Sequence, residues 1–205
     1  MKIAVLASGR GTNLQALIDA QERGELGAEI AVVISDKEDA TALGRARKHG
    51  IPAVFVDPKG KKREDYDRQI MHELHLRGVG LVVLAGYMKL MSPYFVNAYR
   101  NRIMNVHRSL LPAFPGGLAD AHARALEHGV KVTGCTVHFV DEGEDTGPII
   151  LQKAVEISED ETPETLDRKI LEQEHEVLPL AVRLFAENRL KIEGRRVRIL
   201  GEARA

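Results

Sequence analysis

The chain is poor in the features that mark several large protein classes. It has one cysteine, Cys135, in 205 residues, so no internal disulfide can form, which fits a reducing cytosol. Its charges nearly cancel: 29 lysines and arginines against 30 aspartates and glutamates leave a formal net charge of -1. No global positive field draws such a chain to nucleic acid or to an anionic membrane surface, which favours small-molecule chemistry. No run approaches the roughly 20 apolar residues that cross a bilayer, and the opening MKIAVLAS passes straight into a glycine loop without the apolar stretch of a signal peptide. Repeats, low-complexity segments and a linker are also lacking. A soluble cytoplasmic protein is expected. At about 150 residues per domain, the length favours one large unit over two small ones, and 44% hydrophobic with 29% charged residues is ordinary globular composition.

What is there alternates. Met1 to Ala7 is a short apolar run of the kind that makes a strand buried on both faces, and SGRGTN, residues 8–13, breaks it. Thr12 or Asn13 is placed to cap the following helix, in which Leu14, Leu17 and Ile18 recur at helical spacing before Gly24. Strands are predicted over 29–34, 52–56, 81–85 and 103–107, with helices over 40–49 and 63–76 and another opened by Ser92-Pro93. Strand alternating with helix implies a parallel sheet covered on both faces, the doubly wound α/β plan. After Gly116 the pattern changes to a helix over 122–127 and two longer strands, 131–140 and 149–157, suited to antiparallel pairing. Residues 164–187 read as a long helix that Pro179 must kink or end early. LKIEGRRVRIL reads as a hairpin turning at Glu193-Gly194.

Three stretches carry candidate chemistry. In SGRGTN two glycines let the backbone approach an anion, and the next helix offers unpaired amides and the positive end of its dipole. A dinucleotide fingerprint would need glycine where Leu14 stands, and a nucleotide P-loop would need a lysine, so a phosphate monoester is the preferred ligand over both. A plain tight turn is the alternative. In NVHRSLLPAFPGG, residues 105–117, Asn105 and His107 lie two apart and share one strand face at its carboxyl end, where open parallel sheets bind ligands. An imidazole relays protons and an amide donates to a developing oxyanion, which is equipment for acyl transfer rather than for a metal. A packed or solvated histidine is the plainer reading. DEGEDTGP, residues 141–148, is a carboxylate-rich loop in which Asp145 can orient His107, unless the loop is simply solvated; its spacing misses the EF-hand pattern. Cys135 reads as a core residue, and His138, on the opposite strand face, as structural.

SGRGTN near the start, NVHRSLLPAFPG in the middle and DEGEDTGPII after it, in this order and spacing, resemble the phosphoribosylglycinamide formyltransferase family over nearly the whole chain. The resemblance implies the formyltransferase fold: one domain, 1–205, with a Rossmann-like phosphate-binding half (1–100) and a catalytic and folate-binding half (101–205). It implies formyl transfer from 10-formyltetrahydrofolate to the amine of glycinamide ribonucleotide in de novo purine biosynthesis, without metal or nucleic acid, by a monomer or homodimer. By the same resemblance Asn105, His107 and Asp145 are catalytic, and Gly11, Thr12, Asn13 and Glu174 bind the ribonucleotide. Folate contacts fall to Arg63, Met88, Lys89, Leu90, Met91, Asp141, Glu142, Gly143 and Glu144.

Three departures stand out. Arg108 replaces a family proline, which removes a steric bias on the preceding residue and brings a cation beside the imidazole. FPGGLADAHARA is longer than the family segment, and Glu144 replaces an apolar neighbour of Asp145. Two rival enzymes, a formyltetrahydrofolate hydrolase and methionyl-tRNA formyltransferase, would be expected to carry an additional domain. A binding protein that kept a pocket and lost catalysis is the rival from another class.

Overall fold

Aliphatic, largely β-branched runs set the frame. In the computed structural model, which describes residues 1–116 and 121–201, five such runs form parallel strands. They are β1 (Lys2–Leu6), β2 (Glu29–Ser35), β3 (Ala53–Phe55), β4 (Leu81–Leu84) and β5 (Ile103–His107), in the order β3-β2-β1-β4-β5. Successive side chains on β1 go to opposite sides. Ile3 and Val5 pack with Leu14, Leu17 and Leu43 in one core, while Ala4 and Leu6 pack with Ile70, Leu74 and Phe95 in the other. The first core thus takes in α1 (Thr12–Glu22) and α2 (Thr41–Lys48), and the second takes in α3 (Arg63–Leu76) and α4 (Pro93–Ala98), which is the doubly wound arrangement. Ser92 caps α4 as expected, its Oγ accepting from the Phe95 amide at 3.2 Å.

Beyond α5 (Ala121–Glu127) the sheet turns antiparallel. Strand β6 (Val132–Phe139) pairs with β5, and β7 (Ile149–Glu156) pairs with β6. The hairpin of β8 (Leu190–Glu193) and β9 (Arg196–Ile199) joins the same sheet through a contact of β7 with β9, extending it to nine strands. Helix α6 (Pro163–Ala186) continues through Pro179, so of the two expected outcomes, a kink or an early end, the early end does not occur. Val177, Leu178, Ala181 and Val182, on both sides of the proline, are buried against the sheet, so packing outweighs the lost backbone bond. The expected cap of α1 is also different. Its N-cap is Gly11 with φ 71° and no side chain bonds the first turn, so Thr12 is already helical and Asn13 is free for another partner. No described helix is long and apolar enough to cross a membrane.

Candidate active site

The strand order reverses between β1 and β4, and at that switch point an open α/β sheet offers a crevice at its carboxyl edge. A cleft of about 610 Å³ lies there, lined by Gly9 to Asn13 after β1, Ala85, Gly86 and Met88 after β4, and Val106 and Arg108 of the β5 segment. His122, Pro163, Glu164, Asp167, Arg168 and Glu174 close it from the C-terminal half. With no side-chain cap on α1, its first amides remain available to an anion, the physical requirement of a phosphate site. Gly11 makes the approach possible. It is left-handed, and a Cβ there would lie 2.8 Å from the Cβ of Ala42. Gly11→Ala should lower stability by about 2 kcal/mol, from the left-handed backbone and the crowding together. A thermal melt and a phosphate-ester titration check this: both should worsen, and an unchanged melt would contradict the crowding.

Asn13 spans α1 and α6. Its Nδ2 donates to Glu174 Oε2 at 2.8 Å, and Glu174 has no exposed surface although it lines the cleft. Burial pushes the Glu174 carboxyl above its usual range, opposed by the Arg108 guanidinium and the Asn13 amide. A carboxyl raised in this way costs stability once the pH passes its unfolded value near 4.3, because folding must then hold or expel a buried charge. The stability of Glu174→Gln relative to the wild type should therefore grow as the pH rises from about 4 towards neutrality. Paired melts at both ends of that range test it, and a difference independent of pH would contradict it.

Arg108 lies neither beside the imidazole nor in solvent. Neighbouring residues of an extended strand project to opposite faces, so Asn105 faces one cleft while Val106 and Arg108 line the other. The Arg108 guanidinium bonds Asp167 Oδ1 through Nη1, and its Nε is 3.2 Å from Glu174 Oε1. The expected opposition between Arg108 and Asp145 at His107 does not arise.

The second cleft, about 350 Å³, is lined by Leu84, Tyr87, Met88, Lys89, Leu90, Met91 and Val140, with Asn105, Gly116, His138, Gly143, Glu144 and Asp145. Antiparallel register places His138 directly opposite Asn105, so both side chains leave the same face. The loop after β6 folds back tightly enough that a Cβ on Gly147 would collide with the Phe139 carbonyl, and Asp145 adopts φ 54° within it. That return brings Asp145 Oδ1 to 3.4 Å from His138 Nε2 and 3.5 Å from Asn105 Nδ2. Its Oδ2 accepts from the Gly116 amide at 2.8 Å and lies 3.2 Å from His107 Nδ1. Burial alone would push the Asp145 carboxyl up. The His138 bond, the Gly116 amide and the two imidazoles outweigh it and hold the carboxyl below the usual range.

The two histidines differ in access and in state. His107 is wholly buried beneath the cluster, its Nε2 donating to the Phe114 carbonyl at 2.9 Å. Its Nδ1 is within ion-pair distance of Asp145 but off the hydrogen-bonding direction. His138 uses Nδ1 to donate to the Phe139 carbonyl at 2.9 Å, and its Nε2 stands between Asn105 Nδ2 at 3.2 Å and Asp145 Oδ1 at 3.4 Å, accepting from the first when neutral and donating to the second when protonated. It lines the cleft, and the sequence reading had set it aside as structural. The signal that could have found it is the β5–β6 register, which pairs the two residues.

Of the expected folate residues, Met88, Lys89, Leu90, Met91, Gly143 and Glu144 line the second cleft. Arg63, Asp141 and Glu142 do not. Arg63 is exposed at the start of α3, Asp141 is tied to Thr146 Oγ1 and the Gly143 amide, and Glu142 pairs with Arg100. Their charges have nearer partners or open solvent, which no sequence spacing reveals. The lengthened segment FPGGLADAHARA includes residues 117–120, which lie outside the described residues. Among the described residues, no group of three or more His, Cys, Asp or Glu side chains is placed to hold a metal ion.

A crevice at the switch point beside an Asn, His and Asp cluster is the layout of an α/β enzyme that transfers an acyl-type group. Residues 1–182 match the family described as Formyl transferase. The chain is 41% identical over 193 residues to the phosphoribosylglycinamide formyltransferase of Escherichia coli (strain K12), covering 94% of this chain and 90% of that protein. It is 43% identical over 183 residues to the phosphoribosylglycinamide formyltransferase of Bacillus subtilis (strain 168), covering 89% and 93%. The crystal structure of glycinamide ribonucleotide transformylase 1 from Symbiobacterium toebii superposes with a TM-score of 0.95 at 54% identity, covering 98% of this chain and 94% of that one. The chain belongs to the formyl transferase family, among its phosphoribosylglycinamide formyltransferases.

Proposed function

We propose that this protein transfers the formyl group of 10-formyltetrahydrofolate to the amine of glycinamide ribonucleotide, in de novo purine biosynthesis. One observation carries the reading: two unlike clefts share Met88, and Asn105, His138 and Asp145 lie on the second of them. The first has free helix amides for a phosphate ester. The second is walled by Leu84, Leu90, Met91 and Val140 with backbone and amide groups at its edge, which suits a flat heteroaromatic ring. On this reading residues 1–100 mainly supply the phosphate half of a single domain, and residues 101–205 supply catalysis and folate contacts.

The chemistry follows from the side chains. As the substrate amine attacks the formyl carbon a C–N bond forms and negative charge gathers on the formyl oxygen. Asn105 Nδ2 holds one hydrogen on His138, whereas its second makes only the long 3.5 Å contact with Asp145, so that donor turns to the oxyanion at little cost. His107 lies below, placed between Asp145 and the Phe114 carbonyl, where a proton on the ring adds positive charge beneath the oxyanion. Because the Asp145 carboxyl is held below its usual range, it stays ionised through the neutral range and serves as an electrostatic anchor rather than as the base. The base is His138 Nε2, whose lone pair is released when the Asn105 amide swings from it to the oxyanion. It takes the proton lost by the amine and returns it to the departing folate nitrogen as the old C–N bond breaks.

The test is steady-state absorbance of the folate with and without the ribonucleotide. Loss of the formyl group only when the ribonucleotide is present supports the transferase, and equal loss in water alone would make the protein a hydrolase.

A further inference from the structure

Arg108 is a charged wall of the first cleft that the reaction above leaves without a task. Its guanidinium bridges two carboxylates of α6, Asp167 through Nη1 and Glu174 through Nε, and Glu174 is held from the other side by Asn13. Side chains from α1, the end of β5 and α6 thus form one chain, Asn13–Glu174–Arg108–Asp167, which Arg10 of the phosphate loop extends at 3.9 Å from Asp167. Glu174 Oε1 is fully buried, lies off the hydrogen-bonding direction of Arg108, and has no other aligned partner. A donor entering the cleft would complete it. A planar guanidinium presents its donors in a fixed fork and so holds two carboxylates in one geometry, which a lysine ammonium on its flexible stem does less rigidly.

We propose that Arg108 is a positioning residue for the ribonucleotide: by bridging Asp167 and Glu174 it fixes the Glu174 carboxylate so that Oε1 accepts a hydrogen bond from a hydroxyl or amine of the phosphorylated substrate. The proposal rests on the reading of the first cleft as the ribonucleotide site. Burial alone favours a neutral Glu174, and the adjacent guanidinium is the largest influence against it. The groups that bear on that carboxylate are Arg108, Asn13 and its own helix neighbour Asp167, with the Cys135 thiol of β6 near it. Arg108 lines the ribonucleotide cleft and not the second one, so its loss should act on one substrate only.

The experiment compares wild type, Arg108→Met, Arg108→Lys, Glu174→Gln and the Arg108→Met/Glu174→Gln double variant. One readout is KM for each substrate; the other is the calorimetric Kd for ribose 5-phosphate, which needs no turnover. Arg108→Met should raise KM for the ribonucleotide and the ribose 5-phosphate Kd by roughly tenfold or more, leave the folate KM unchanged, and lower kcat by less than KM rises. Arg108→Lys, which keeps the charge and guards against misfolding, should recover only part of the loss. In the Glu174→Gln background the Arg108→Met effect should largely vanish, since the residue acts through that carboxylate. Affinities unchanged in Arg108→Met, full rescue by lysine, or effects that simply add in the double variant would each overturn the proposal. Silence of the wild type towards glycinamide ribonucleotide would instead overturn the substrate reading, and the ribose 5-phosphate affinities would still decide the role of Arg108.

Discussion

Asp145→Asn should lower kcat by a factor of about a hundred to ten thousand, the range expected when a group that governs proton transfer is lost, with little change in the melt. The replacement is isosteric, so the amide oxygen can still accept from Gly116 and the loop geometry is kept. What goes is the negative charge that faces His107 Nδ1 and His138 Nε2 together. With that oxygen kept on Gly116, the amide nitrogen takes the Oδ1 position, near His138 Nε2 and Asn105 Nδ2, where it sets donor against donor with Asn105 and removes the charge that orders both side chains. The KM of the ribonucleotide should hardly move, because Asp145 does not line the first cleft. A variant within about fivefold of wild-type kcat would contradict the electrostatic role assigned here.

Gly134→Ala is expected to cost at least about 3 kcal/mol and to lower the melting temperature by on the order of 10 °C. Gly134 sits inside β6 opposite Ala154 of β7, where an added Cβ would collide with the Lys153 carbonyl and come within 2.9 Å of Leu110 Cδ2. The first neighbour is backbone in the middle of a sheet and cannot step aside without parting the strands. The second belongs to the loop that follows His107, so the fold and the site are strained together. Far-ultraviolet melts would show the loss directly, and an unchanged midpoint would mean that β6 and β7 yield more easily than their register implies.

Much of the architecture was legible because burial on both faces leaves a plain signature. The runs at β1, β2, β4 and β5 and the helices between them sit where periodicity placed them, and the antiparallel pair and the terminal hairpin also formed. Pro179 misled because propensity is local, whereas the apolar stripe that overrides it is read only against a sheet. Asn105, His107 and Asp145 were legible as short patterns, and the structure brings them into one cluster. Arg108 was misread because its partners Asp167 and Glu174 stand some 60 residues away in sequence, so only the return of α6 to the loop after β5 shows them. His138 was overlooked for a similar reason: a lone histidine on a strand gains meaning from its cross-strand neighbour. Arg63, Asp141 and Glu142 rest on motif position alone, and they lie outside the lining of the second cleft.

The central claim is that the formyl carbon goes from folate to the ribonucleotide amine and not to water. Its most direct measurement is carbon-13 NMR of the purified protein with 10-formyltetrahydrofolate labelled at the formyl carbon and excess glycinamide ribonucleotide. The account predicts that the label collects as the formamide of formylglycinamide ribonucleotide, at a rate that depends on ribonucleotide concentration. Label released as formate, or left on the folate while both ligands bind, would contradict it.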